Sequence, residues 1–274
     1  MLVVFQNNHF INVTEVGIIR GFIFDLDGTV YLGDQPIKGA AEAINTLQQR
    51  GDRVVFLSNK PIATRMFYVE KLRKMGIEAS LENVLNSNYI MAYYLKDILT
   101  AEQSVFVIGE WPLIEELEAQ EIPITQDPLQ ADYVILSWDR YFTYDKLNAA
   151  FQAWFHGAKI IATNPDRTCP IENGQIPDCG AIIGAIEGAT GQAIDAVVGK
   201  PSAIMAETAV KKLGLDFSQC YMVGDRLETD IKMANETGMN SVLVLTGITT
   251  EDMLATSPYQ PKYVLNSIAD IPSI

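Results

Sequence analysis

Asp25 and Asp27 stand two residues apart in the segment Asp25-Leu26-Asp27-Gly28-Thr29, which closes the apolar run that begins at Gly21. An ionised carboxylate can attack phosphorus and carry a covalent phosphoryl group, provided its target is held in line. Asp25 is the candidate for that role. Two carboxylates about 4 Å apart at an effective dielectric near 20 repel by about 4 kcal/mol, enough to protonate one of them unless a cation compensates. Asp225, in Gly224-Asp225 after another apolar run, adds a third carboxylate. Such a group makes sense around Mg²⁺, an ion that takes a few protein oxygens and completes its shell with water and substrate phosphate. A calcium loop does not fit, because the EF-hand pattern needs glycine sixth and glutamate twelfth, whereas Gly28 is fourth and Pro36 twelfth.

Three other segments carry groups that suit phosphate. Ser58-Asn59 offers a hydroxyl, an amide and backbone N–H donors, although such a pair taken alone reads more often as a turn. Lys200, between Gly199 and Pro201 and just ahead of the helix-capping Ser202, could aim a compact charge at phosphate or sit solvated on the surface. It is not a Walker lysine, since Ile194 stands where that pattern needs glycine and Pro201 follows. Asp230 could brace the loop after Asp225 or a metal-bound water, and equally could cap a helix. With only His9 and His156 in the chain, chemistry built on histidine has almost nothing to work with.

These segments need a scaffold that brings them together. Residues 21–25 and 53–58 are apolar without alternation, the pattern of strands buried on both faces of a parallel sheet. Helical periodicity follows each, over residues 41–47 and 64–75, and recurs over 203–213. Residues 220–223 and 241–245 read as two more buried strands, with a helix over 230–237 between them. Strand, helix and strand at this spacing imply right-handed βαβ units, in which ligands gather beyond the carboxyl ends of the strands. Every candidate residue falls at such an end.

Residues 82–178 are also α/β in pattern, with strands expected at 105–108, 133–136 and 159–162, but carry none of the chemical segments. They are predicted to form a domain inserted into a discontinuous core of residues 18–81 and 179–274, with residues 1–17 as an N-terminal extension. Gly180, Gly184 and Gly188 repeat every four residues, as small residues do where helices pack closely.

Composition narrows the partners. A net charge of −14 disfavours nucleic acid and anionic lipid, and no apolar stretch approaches the ~18 residues of a membrane span, so a cytoplasmic protein is expected. Cys169, Cys179 and Cys220 are odd in number and lack C-x-x-C spacing, which favours reduced thiols over disulfides or zinc.

Taken in order, Asp25-Leu26-Asp27-Gly28-Thr29, Ser58-Asn59, Lys200-Pro201 and Gly224-Asp225 through Asp230 resemble the four motifs of the haloacid dehalogenase (HAD) superfamily. Ala162-Thr163-Asn164-Pro165-Asp166, Val198-Gly199-Lys200-Pro201-Ser202 and Val244-Leu245-Thr246-Gly247-Ile248 extend the resemblance to the NagD-like subfamily. The resemblance implies a Rossmann-like α/β core with a large inserted α/β cap of the C2 type. By the same resemblance Asp25 is nucleophile and Mg²⁺ ligand, and Asp27 is general acid and base and lends its backbone carbonyl to the metal. Ser58, Asn59 and Lys200 would hold the phosphoryl group, Asp225 would complete the metal site, and Asp230 would support it.

The implied reaction is hydrolysis of a small phosphorylated metabolite, with nucleotide or pyridoxal phosphate as alternative substrates and a non-catalytic sensing module as an alternative of another class. Cap-mediated homodimers occur among similar proteins. Lys60 stands where many relatives carry a second asparagine, a variant that resembles the AraL-type sugar phosphatases. Asp139, Arg140 and Tyr144 in the inserted segment are candidates either for substrate contact or for a structural ion pair.

Overall fold

The computed structural model describes residues 19–171 and 174–274, so the expected extension over residues 1–17 lies outside it. Six parallel strands form the larger sheet, in the spatial order Tyr263–Leu265, Asn240–Val244, Cys220–Gly224, Gly21–Asp25, Arg53–Ser58 and Val84–Asn86. Gly21–Asp25 is central, and its apolar run has a direct cause. Phe22 and Phe24 enter one hydrophobic cluster and Ile23 enters the cluster on the opposite face, so no position is left for a solvent-facing residue.

Helices bridge the strands with the expected punctuation. Thr64 caps the helix Arg65–Lys74 by accepting from the Phe67 N–H. Ser202 caps Ala203–Leu213 in the same way through Ile204 N–H, and Gly214 ends that helix in the left-handed conformation. The helix expected over 230–237 is different. A π-helical turn, Leu227–Ile231, precedes the α-helix Lys232–Thr237. Asp230 lies inside that turn and its side chain is buried, so it is not a solvent-facing helix cap.

A second sheet of four parallel strands runs in the order Ala196–Val197, Lys159–Ala162, Tyr133–Leu136 and Val105–Ile108. The helix Cys179–Thr190 packs on it through Cys179, Ile182 and Ile186. Both expected boundaries of the insertion therefore shift. Val84–Asn86, placed in the insertion from sequence, is an edge strand of the larger sheet. Residues 179–197, placed in the core, supply a helix and a strand to the smaller unit.

The glycine repeat also reads differently in three dimensions. Gly180 meets the backbone oxygens of Pro165 and Asp166, where a Cβ would come within 2.8 Å of both, whereas Gly184 and Gly188 face open space. The close approach is thus helix to loop, at one position only.

Candidate active site

Asp25, Ser58 and Asp225 follow or close three adjacent strands of the larger sheet, and parallel pairing delivers them to one edge. The loop after Val197 brings Lys200 over the same edge. Its ammonium lies 2.5 Å from Asp25 Oδ1 and 2.7 Å from Asp230 Oδ1, with all three side chains almost wholly buried. Carboxylate oxygens of Asp25, Asp225 and Asp230 lie within 4.8 Å of one another. Gly28, at φ +94°, turns the chain sharply beside this cluster, and any Cβ there would strike the Asp225 carboxylate. Gly247 and Gly224 are hemmed in likewise by Asp225 and Asp230.

The electrostatics are those of a site short of positive charge. Burial pushes the Asp25 carboxyl up; Lys200 opposes this, while Asp230 and Asp225 reinforce it. Asp225 is also raised, first by burial and then by Asp230. Burial alone would lower Lys200, but Asp230 and Asp25 outweigh it and hold the proton on the ammonium. Asp225 Oδ2 accepts from the Ile248 N–H at 2.7 Å, whereas its Oδ1 is buried and has no hydrogen-bond partner among the described residues. Three hard oxygen donors, with one lone pair set unused, fit a divalent cation such as Mg²⁺.

Other expected residues divide. Asp27 stays outside the carboxylate cluster, half-exposed, with Lys60 Nζ 3.6 Å from its Oδ2. Ser58 is buried in the chamber wall and its Oγ accepts from the Lys60 N–H. The Asn59 amide also lines the chamber, but its polar atoms are in use. Its Oδ1 accepts from Lys200 N–H at 2.7 Å, and its Nδ2 donates to Lys200 O and to Asp166 Oδ2. Asn59 therefore positions the lysine loop in this structure. Asp139 pairs with Lys146, Arg140 holds Glu110 through two 2.7 Å bonds, and Tyr144 is exposed, so the first two serve ion pairs within the smaller unit.

Sequence reasoning did not single out several residues of the chamber. Asp166 and Asp178 enter from the smaller unit, and Arg226 and Thr229 from the start of the π-helical turn after Asp225. Thr229 Oγ1 is buried without a hydrogen-bond partner among the described residues. Asp166 and Asp178 both belong to the Pro/Gly-rich return over residues 164–180, the segment from which the resemblance implies contributions to the site, although neither residue was named for it.

A parallel α/β sheet whose edge gathers three buried carboxylates and a buried lysine is the architecture of an α/β enzyme with its site beyond the carboxyl ends of the strands. Residues 22–123 match the Haloacid dehalogenase-like hydrolase family, and residues 197–271 match the HAD-hydrolase-like family. Sugar-phosphatase AraL of Bacillus subtilis (strain 168) is 42% identical over 251 residues, which cover 92% of this chain and 91% of that protein. Among solved structures, the p-nitrophenyl phosphatase from Archaeoglobus fulgidus superposes with a TM-score of 0.88 at 35% identity, covering 93% of this chain and 98% of that one. NagD from E. coli K-12 gives 0.85 at 30% identity, covering 93% and 99%. The chain belongs to the haloacid dehalogenase-like hydrolase family, among its NagD-like members.

Proposed function

We propose that this phosphoric monoester hydrolase releases phosphate from small sugar phosphates through an aspartyl phosphate on Asp25. The observation that carries the reading is the buried trio Asp25, Asp225 and Asp230, gathered about the Lys200 ammonium, of which Asp25 lines a chamber of about 80 Å³. Mg²⁺, held by Asp25 and Asp225, would supply the missing positive charge and polarise the phosphoryl oxygens.

An Asp25 carboxylate oxygen attacks phosphorus as the bond to the leaving oxygen breaks, and Asp27 gives that oxygen its proton. In the second half a water attacks the phospho-aspartate, Asp27 takes its proton back, and the Asp25–phosphate bond breaks. Lys200 and Ser58 orient the phosphoryl oxygens, and Asn59 keeps Lys200 in place. The smaller unit acts as a cap that keeps bulk water out, which the contribution of Asp166 and Asp178 to the chamber wall supports.

Phosphate release from sugar phosphates, nucleotides and pyridoxal phosphate, with Mg²⁺ and with chelator, tests the reading. Release should need the metal, favour sugar phosphates and fall at least about 10⁴-fold in Asp25→Asn without loss of folding. Full activity in that variant would remove the nucleophile, and no release from any member with Mg²⁺ bound would leave a ligand-binding module instead.

A further inference from the structure

Beside the phosphoryl chamber of about 80 Å³ lies a second cavity of about 630 Å³. Asp27, Ser58 and Lys60 line both. The smaller space suits a phosphoryl group, and the larger has the size of a small-molecule pocket, commonly about 300–1,000 Å³. In-line displacement puts the leaving oxygen on the side of phosphorus away from Asp25. Asp27 must reach that oxygen to protonate it. Because Asp27 faces both spaces, a leaving group bonded there continues past Lys60 into the larger one.

Four aromatic side chains, Tyr31, Phe67, Tyr68 and Trp111, stand in the walls of that cavity beside charged ones. Tyr31 and Tyr68 are buried in it, whereas Phe67, from the helix Arg65–Lys74, is 51% exposed and Trp111, the first residue of Trp111–Ala119, is 65% exposed. These two rings come from the two different units of the molecule, and both leave apolar faces in water at the same cavity. The cations nearby are already engaged. Arg140 is held by Glu110, Lys71 by Asp34 and the Gly33 carbonyl, and Lys60 by Asp27. Recognition in this cavity therefore falls to ring faces more than to charge.

Resting on the phosphatase reading above, we propose that this cavity is the leaving-group site and that Phe67 and Trp111 are specificity-determining residues. They select phosphomonoesters whose leaving group presents a ring with a flat or apolar face, a pyranose or an aryl group, over short acyclic esters. Stacking between such faces supports discrimination of about threefold to tenfold per ring.

The test compares kcat/KM for p-nitrophenyl phosphate and glucose 6-phosphate with that for phosphoglycolate and glycerol 3-phosphate. In Trp111→Ala the ratio of ring-bearing to acyclic substrates should fall about fivefold to tenfold, through KM for the ring-bearing pair, and Trp111→Phe should restore most of it. Phe67→Ala should shift the ratio the same way by a smaller factor. Parallel changes for both substrate classes, or an unchanged ratio in both alanine variants, would overturn the proposal. Calorimetric binding of p-nitrophenyl phosphate and phosphoglycolate to Asp25→Asn and to Asp25→Asn/Trp111→Ala reads the same ratio without turnover. Preferential binding of the aryl ester that is lost with Trp111, when the wild type hydrolyses neither ester, would keep the ring preference of this cavity and sink the phosphatase reading. Equal binding of both esters would sink this inference alone.

Discussion

Two acidic groups meet at one chamber, one reaching it through Asp25 and the other through Asp166 and Asp178, and they are built in opposite ways. On the larger sheet, Asp25, Asp225 and Asp230 are buried around one ammonium, and Asp225 Oδ1 has no hydrogen-bond partner among the described residues. On the smaller unit, Asp178 Oδ1 accepts from Asn164 Nδ2 at 3.0 Å and from Cys179 N–H at 2.6 Å. Asp166 Oδ2 accepts from Asn59 Nδ2 at 3.0 Å and from Asn164 Nδ2 at 3.1 Å. Burial of a carboxylate does not by itself mark a functional group. The difference lies in the partners: neutral amides serve the second group, while three carboxylates of the first share one ammonium.

The strongest blow to this contrast is removal of the one ammonium. Lys200→Ala leaves Asp25 and Asp230 without their shared partner, and urea denaturation in the absence of divalent ions should show a loss of about 3–5 kcal/mol. Added Mg²⁺ should recover part of it. A loss below about 1 kcal/mol would mean that the acids of this group are neutral when folded, and the contrast would fail.

A smaller effect of opposite sign is expected across the chamber. Burial raises the Asp178 carboxyl from 3.8 to about 6, although Asn164 and the Cys179 N–H work against it. Between those values the folded chain binds the proton more tightly than the unfolded chain. The stability this residue contributes is therefore present below about pH 4 and lost as pH rises to about 6. Asp178→Asn retains an Oδ1 acceptor for both donors. It should flatten that fall and be more stable than the wild type by about 1–2 kcal/mol at pH 7. Denaturation midpoints at pH 4, 6 and 7 check this, and an unchanged slope would remove Asp178 as its source.

The contrast also explains what was legible in the sequence. Gly21–Asp25 could be read as a two-faced strand because Phe22, Ile23 and Phe24 leave no polar position, and its end then located Asp25. The joint placement of Asp25 and Asp225 at one edge follows from parallel strands with their carboxyl ends together, whereas Lys200 comes over that edge from the loop after Ala196–Val197, a strand of the smaller sheet. Val84–Asn86 and Ala196–Val197 were assigned to the wrong units because strands of three and two residues carry no signal of which sheet they join. The π-helical turn at Leu227–Ile231 was missed because its sequence is compatible with an α-helix; what draws Asp230 inward is Lys200, thirty residues away. Asn59 was legible as a polar residue at a strand end, but its bonds to Lys200 and Asp166 depend on segments that only the fold brings near.

On the reading proposed above, the carboxylates at the sheet edge bind a divalent cation. The shift of Tm on adding Mg²⁺, measured for the wild type and for Asp225→Asn, tests it most directly. At about one hundred times Kd the ion contributes about 2.7 kcal/mol, so the wild type should rise by about 5–10 °C and Asp225→Asn should barely respond. No rise in the wild type, or an equal rise in both proteins, would contradict the claim.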